Sequence, residues 1–322
     1  MSATSVIGFV NNSRSERNRR GMADLEAVLA RHPELVRLDF DGLTRLRDIA
    51  TDLARLRPAL IVVNGGDGTV QGLLTELLEH RPLDPLPPIA ILPRGMANMT
   101  AADCGLRRRG PGAVVRLLEA ARSGLLDRFT VKRRVLRIEG LAEHGVQRGM
   151  FMGAAGITDA IHLCKSRIHA MGIKGEAAHF VTLAGLLWGL ARGRRPPGML
   201  EGAPVAMRFE DGEVREGRQL LLLATTLDRL VLASRPFWNA LARPFRFTAI
   251  RCPAEGLVRR TLRVLYGGDW RDLPRDSYFS RGGARLELEL EREITIDGQF
   301  YRPEPGRPLI VTAPDEVRFV RL

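Results

Sequence analysis

The tightest constraint on this chain is a run of five apolar residues, Ala59-Leu60-Ile61-Val62-Val63, that passes directly into Asn64-Gly65-Gly66-Asp67-Gly68-Thr69. An apolar, β-branched run without polar alternation is the mark of a strand covered on both faces, and such strands belong to parallel sheets packed between helices. The neighbouring sequence repeats the theme. Val6-Ile7-Gly8-Phe9-Val10, Leu35-Val36-Arg37-Leu38 and Pro88-Ile89-Ala90-Ile91-Leu92 have the composition of further strands. Between them, residues 22–30, 43–56 and 70–78 carry apolar side chains at helical spacing. Strands interleaved with helices predict a Rossmann-like α/β domain, its parallel sheet covered on both faces.

The pattern changes near residue 128. From there, segments 131–138, 205–209, 219–224, 257–265 and 286–296 alternate in period two, which predicts an antiparallel β domain. A chain of 322 residues accommodates two domains comfortably. The expected division is 1–128, completed by 308–322, and 129–307. The formal net charge is +12. Such a balance fits a solvated basic surface, or attraction to nucleic acid, an anionic membrane or a polyphosphate. No zinc-finger, homeodomain or RNA-recognition pattern accompanies it, so nucleic acid ranks last. The three cysteines, Cys104, Cys164 and Cys252, are scattered, which argues against a disulfide framework and a zinc site. The first residues lack a basic leader, so the cytoplasm is the expected address. The longest apolar stretch, 177–191, falls short of the roughly 18–20 residues a spanning helix needs.

The glycine-rich segment after the third strand is where chemistry is expected. Glycines at a strand-to-helix turn let backbone N–H groups approach phosphate oxygens, and the helix that follows adds the positive end of its dipole. Asp67 is the one acid amid those donors. Near phosphates it would either bind Mg²⁺ through water or accept a proton from an attacking hydroxyl. The alternative is a tight turn with no ligand. The segment is neither a Walker loop nor the dinucleotide fingerprint, since neither Gly-Lys-Ser/Thr nor Gly-x-Gly-x-x-Gly fits.

At Gly65-Gly66-Asp67-Gly68-Thr69 the chain resembles the diacylglycerol kinase-like lipid kinases, a family of diacylglycerol, sphingosine and ceramide kinases, with NAD kinases and phosphofructokinases more distant. Leu92-Pro93-Arg94-Gly95-Met96-Ala97-Asn98 is similar to the family's Leu-Pro-x-Gly-Thr-x-Asn loop. Asn12-Ser13-Arg14-Ser15 resembles its first-strand Asn-Pro-x-Ser, and Ile296-Asp297-Gly298-Gln299 its Asp-Gly-Glu. The resemblance implies an amino-terminal α/β domain that holds ATP and a carboxy-terminal β-sandwich that holds the lipid. It implies Mg²⁺ with the ATP, and a substrate met at an anionic membrane surface, with the protein bound peripherally to the inner face. Asn12, Arg14, Ser15, Gly65, Gly66, Gly68, Thr69, Gly95 and Asn98 are the expected nucleotide-binding residues. Asp67 is expected to serve catalysis or the metal, with Asp297 second.

Several positions depart from the family pattern. Gln299 stands where the relatives have Glu, and a carboxamide takes no proton at neutral pH. Met96 replaces Thr, Gln71-Gly72 replaces Asn-Glu, and the stretch from Thr225 to Phe247 lacks the Asp-Gly associated with a structural Mg²⁺. These losses keep two other readings open: an NAD kinase-like enzyme and a nucleotide-binding regulator without catalysis. Arg14 leads a basic cluster after the first strand, where ligands meet parallel sheets. Asp39 or Asp41 would accept a ribose hydroxyl or cap the next helix. Two segments would meet lipid: 179–190 with Trp188, and 230–247 with Phe237, Trp238, Phe245 and Phe247 among arginines. The second set would equally fill a β-domain core.

Overall fold

The uninterrupted apolar run becomes β3 (Leu60–Gly65), all of it buried, in the computed structural model of the chain. On one side β3 pairs with β1 (Ile7–Asn12), beyond which lies β2 (Leu35–Phe40); on the other it pairs with β4 (Ile89–Pro93). All three pairings are parallel, so the strands finish on the same edge. The last residues of β15 (Leu309–Val320) join the sheet parallel to β4, with Phe319 opposite Ile89. The structure describes residues 6–13, 18–95, 97–107, 110–159, 161–162, 201–238, 243–267 and 270–322. They divide into two units, Met1–Arg133 with Asp315–Leu322, and Arg134–Pro314.

In the first unit, helices cover both faces of the sheet. Ile7, Phe9, Leu60, Val62, Ala90 and Leu92 form one apolar face, packed with Leu25 of α1 (Asn18–Arg31) and with Val114, Leu117 and Leu118 of α5 (Pro111–Arg122). The opposite face meets α2 (Leu46–Leu56) so closely that a Cβ on Gly8 would lie 2.6 Å from the Leu53 Cδ2. Next to α2 packs α3 (Asp67–Glu79). The short α4 (Met99–Cys104) follows β4. Sequence patterning did not single out α5, although Pro111 in its first turn and Ala113, Val114, Leu117 and Leu118 at helical spacing are its signals.

The second unit is antiparallel and β-rich. Its longest strand, β9 (Val214–Thr225), pairs with β7 (Phe151–Ala155), β8 (Ala203–Phe209) and β10 (Phe245–Arg251). β11 (Tyr278–Gly283) extends β10, β12 (Arg285–Glu289) pairs β8, and the hairpin β13 (Ile294–Ile296) to β14 (Gln299–Tyr301) pairs β7. β5 (Thr130–Glu139) and β6 (Gln147–Gly149) form a further pair. The fold is therefore an α/β unit with a parallel sheet and a β-rich antiparallel unit.

Two expectations need correction. Residues 257–265 form a helix, α6 (Leu257–Tyr266), instead of a strand. Their apolar spacing suits either period over so short a stretch. The deciding signals are Gly256 and Gly267, which flank the helix with positive φ of 60° and 83°. Val264 packs inward with Leu273 and Tyr278, while Leu262 faces out. Likewise, 286–296 is two strands, β12 and β13, which pair with different neighbours.

The aromatic segment expected at the lipid surface is largely interior. Phe245 and Phe247 are fully buried in the core of the second unit. The Phe247 ring lies 5.7 Å from Phe209 and 6.4 Å from Phe279, centroid to centroid. Trp238 packs on a smaller cluster around Leu220 and Ile250, and Phe237 lies under the Arg246 guanidinium. Period-two alternation places Phe245 and Phe247 on the inward face of β10. The 179–190 segment lies outside the described residues. Among the described residues no helix is long and apolar enough to cross a membrane. Replacing Phe247 with Ala is expected to destabilise the fold by about 3–5 kcal/mol, as for other buried rings. Chemical denaturation would measure it, and a loss under about 1 kcal/mol would place that ring outside the core.

Candidate functional site

The glycine segment sits where β3 ends and α3 begins. Gly66 is extended, with φ −94° and ψ −176°, and its carbonyl accepts the N–H groups of Thr69 at 3.0 Å and Val70 at 3.1 Å to open the helix. Having no side chain, it leaves the first amides of α3 without a side-chain cap. Gly65 is needed for a different reason: a Cβ there would meet the Thr69 side chain at 2.7 Å. The Thr69 hydroxyl accepts a hydrogen bond from the Asn12 carboxamide at 2.8 Å, which ties the end of β1 to the same turn. Gly68 is the second residue of α3.

The loop after β4 closes over this turn. The Arg94 N–H donates to the Gly65 carbonyl at 3.2 Å. Gly66 and Gly95 then meet backbone to backbone: a Cβ on Gly66 would lie 2.8 Å from the Gly95 Cα, and one on Gly95 would lie 2.6 Å from the Gly66 Cα. Neither contact tolerates a side chain. Asn98 shapes the loop from the other end. Its carboxamide accepts the Gly95 N–H at 2.7 Å and donates to the Gly95 carbonyl at 2.8 Å, while its backbone adopts a left-handed φ of 49°. Asparagine is among the few residues that tolerate that conformation.

Asp67 joins the two loops. Although it opens α3, its carboxylate accepts the N–H of Met99 at 3.0 Å and that of Thr100 at 2.9 Å, the first amides of α4. A negative charge is thereby shared between two helix N-termini, which favours it. Burial pushes the carboxyl above its ordinary range, and the Thr100 and Met99 amides pull the other way without cancelling that effect. The Thr100 side chain and the Asn98 amide favour its ionised form as well.

Asp297 is placed differently. It lies in the second unit, at the turn of the β13–β14 hairpin, where Asp297 and Gly298 both have positive φ, 47° and 84°. That is the backbone of an Asp-Gly hairpin turn. Its carboxylate is buried and accepts the N–H groups of Met150 at 2.8 Å and Phe151 at 3.0 Å, pinning the hairpin beside β7. Gln299 opens β14 opposite Ile296. Arg14, Ser15 and Met96 lie outside the described residues. Asp39 is held by the Asn11 carboxamide at 2.6 Å and the Arg37 Nε at 2.6 Å. A short 3₁₀ turn, Leu43–Arg45, follows Asp41 and leads into α2, whose N-cap is Arg45. Among the described residues no group of three or more His, Cys, Asp or Glu side chains converges on a metal position.

Sequence reasoning missed three side chains beside this turn. Asn11 and Asn64, buried in otherwise apolar strands, are linked by a 2.7 Å bond from Asn64 to Asn11, and Arg94 donates its Nε to Asn64 at 3.3 Å. A buried carboxamide inside a run of Val and Ile is a signal in itself.

A parallel sheet that ends in two interlocked glycine turns defines an α/β protein with helix amides gathered at the carboxyl ends of its strands, a place that suits an anion. Residues 6–130 match the family model of the diacylglycerol kinase catalytic domain. The fold agrees along the whole chain. A crystal structure from Bacillus anthracis strain Sterne, provisionally named a diacylglycerol kinase, superposes with a TM-score of 0.63 at 18% identity, covering 99% of this chain and 98% of that one. Another, described as a diacylglycerol kinase of the same strain, gives 0.58 at 16% identity, covering 99% and 97%. At such identities the likeness is one of fold. No curated protein matches the chain.

Substituting Gly95 with Ala forces the two turns apart, because the added methyl meets a backbone atom at 2.6 Å and not a flexible side chain. The expected outcome is a stability loss of about 1–3 kcal/mol. Thermal unfolding would read it, and an unchanged melting temperature would show that the two turns do not meet so closely.

Proposed function

We propose that the chain is an ATP-dependent kinase that transfers the γ-phosphate to the hydroxyl of a membrane lipid, with diacylglycerol first and ceramide or a sphingoid base next. The observation that carries this reading is the Gly66–Gly95 apposition, which holds the first turn of α3 against the 95–98 loop in a backbone surface that side chains would fill. That surface suits a polyphosphate, so ATP fits the residues present. Gly65, Gly66, Gly68 and Thr69 would line the phosphates on one side, with Gly95 and Asn98 on the other and Asn12 at the end of β1, and Arg14 and Ser15 would add to the nucleotide contacts. Mg²⁺ arriving with the nucleotide would neutralise charge on the transferring group, and the chain offers it one nearby carboxylate, Asp67.

Asp67 is proposed as the group that meets the lipid hydroxyl. Its raised pKa strengthens it as a proton acceptor, and its bonds to α4 hold it in one orientation. Asp297 is proposed to serve the hairpin, since both its oxygens accept backbone amides. Phosphoryl transfer relies on positioning and charge neutralisation more than on a strong base, which makes Gln299 compatible with activity. The net charge of +12 supports a peripheral encounter with an anionic membrane from the cytoplasmic side.

The test is radiolabelled ATP and Mg²⁺ offered with mixed micelles of diacylglycerol, ceramide and sphingosine, and separately with NAD. Label is expected in a lipid phosphate. Label in none of the lipids, or NADP as the product, would overturn the proposal. In an active preparation, Asp67→Asn should lower turnover by about 10²–10⁴, with the fold verified by circular dichroism. Loss of the ionised carboxylate should also set the acid limb of kcat/KM. Because burial raises that carboxyl, the limb is expected above 3.8, the ordinary Asp value. A limb at or below that value would remove Asp67 from proton transfer.

A further inference from the structure

Helix α6 divides its side chains between two faces. Leu257 and Val264 turn inward and pack with Leu220, Ile250, Leu273 and Tyr278 in the smaller core cluster of the second unit. Arg259, Leu262, Arg263 and Tyr266 fall at i, i+3, i+4 and i+7, so they share the outer side. Leu262 is 66% exposed and Tyr266 is 51% exposed, the two highest values for large apolar side chains among the described residues. A solvated helix face normally carries polar side chains. Here a leucine and a tyrosine alternate with arginines instead.

The helix carries three arginines and no acid. Arg260 pairs with Glu255 at 3.6 Å and Arg263 with Asp272 at 3.4 Å. Arg259 has no ion-pair partner among the described residues. A neighbouring turn extends the same character. Arg235 donates its N–H to the Leu265 carbonyl at 2.6 Å, which sets the 231–235 turn against the last turn of α6. Val231 and Arg235 are exposed, and Arg235 also lacks an ion-pair partner among the described residues. Leu232 and Ala233 between them hold left-handed φ of 58° and 56°, which side chains with a Cβ disfavour. Backbone strain of this kind gathers at functional surfaces.

We propose that the outer face of α6, with the 231–235 turn, is a docking surface for an anionic lipid bilayer. Each group has a match at such an interface. Leu262 enters the boundary of the acyl chains, and Tyr266 lays its ring at headgroup level with its hydroxyl in water. Arg259 and Arg235 meet lipid phosphates while their stems lie along apolar surface. A protein partner would also cover a leucine and a tyrosine, but a helix with three cations and no acid is complementary to a sheet of negative headgroups. The net charge of +12 adds attraction at longer range. This deepens the reading of a membrane-lipid substrate, on which it rests, by naming the surface that meets the membrane.

The test is sedimentation of the full chain with vesicles of phosphatidylcholine alone, and of phosphatidylcholine with about 30% phosphatidylglycerol, in the absence of ATP and diacylglycerol. The chain is expected to bind the anionic vesicles and to leave the neutral ones. Leu262→Gln combined with Tyr266→Gln should weaken that binding by about tenfold. Arg259→Gln combined with Arg235→Gln should weaken it by about tenfold as well, and this second effect should shrink as salt rises. All four side chains are exposed, so the melting temperature should hold in both variants. A chain that binds no anionic vesicle overturns the proposal, as do variants that bind like the wild type. If the Leu262→Gln, Tyr266→Gln pair instead splits a dimer and leaves vesicle binding intact, the face is a contact between copies and the proposal falls. Vesicle binding lost in both variants, in a chain that phosphorylates no lipid, would uphold the surface and sink the kinase. Phosphorylation of vesicle diacylglycerol by variants that bind undiminished would do the reverse.

Discussion

The approach of two glycines, Gly66 after β3 and Gly95 after β4, is the contact on which the rest of the site depends. Parallel strands deliver their carboxyl ends to one edge, but side chains normally keep the loops that leave them apart. Here each glycine occupies space that the other's Cβ would need. The mutual absence of side chains lets α3 start directly beneath the second loop. It also brings the first amides of α4 within reach of Asp67. The acid then serves as a clasp: it belongs to α3 by sequence and caps α4 by hydrogen bonding. Asn98 closes the second loop on itself, so the two turns form a single rigid backbone surface.

The same device recurs in the second unit with a different consequence. Asp67 and Asp297 each accept two successive backbone amides, Met99 and Thr100 in one case, Met150 and Phe151 in the other. In both, peptide N–H groups favour the charged form. At Asp297 the amides belong to the bend between β6 and β7, and the result is a pinned hairpin. At Asp67 they belong to a helix start beside glycine turns, and the result is a charged group held at a surface that favours anions. What separates a structural acid from a candidate catalytic one here is its surroundings, since the local bonding is alike.

The polar row from Asp39 through Asn11 and Asn64 to Arg94 adds a second constraint at that edge. Carboxamides in the centre of a parallel sheet interrupt its apolar packing, and these bonds offset part of that cost. They tie β2, β1 and β3 to the residue that follows β4. The carboxyl edge of the sheet is therefore fixed by strand residues as well as by loops, which gives it a more rigid base than loops provide.

Much of the first unit was legible in the amino-acid order because its signals are local. The run from Ala59 to Val63 dictates a doubly covered strand, and the glycines after it dictate a turn into a helix. Spacing alone places α1, α2 and α3. Local signals failed where two periods fit the same residues, as in α6, whose Gly256 and Gly267 carried the information. They failed also where burial depends on distant strands, as with Phe245 and Phe247. The sequence by itself determined the α/β and β-rich halves and the glycine turns, since these follow from periodicity and from residues that lack a Cβ. Only the tertiary structure decided that Gly66 faces Gly95, that Asp67 caps a helix 32 residues away, and that Asn11, Asn64 and Arg94 share one row. Each of those depends on which strands stand side by side, and strand order arises from the packing of the whole sheet.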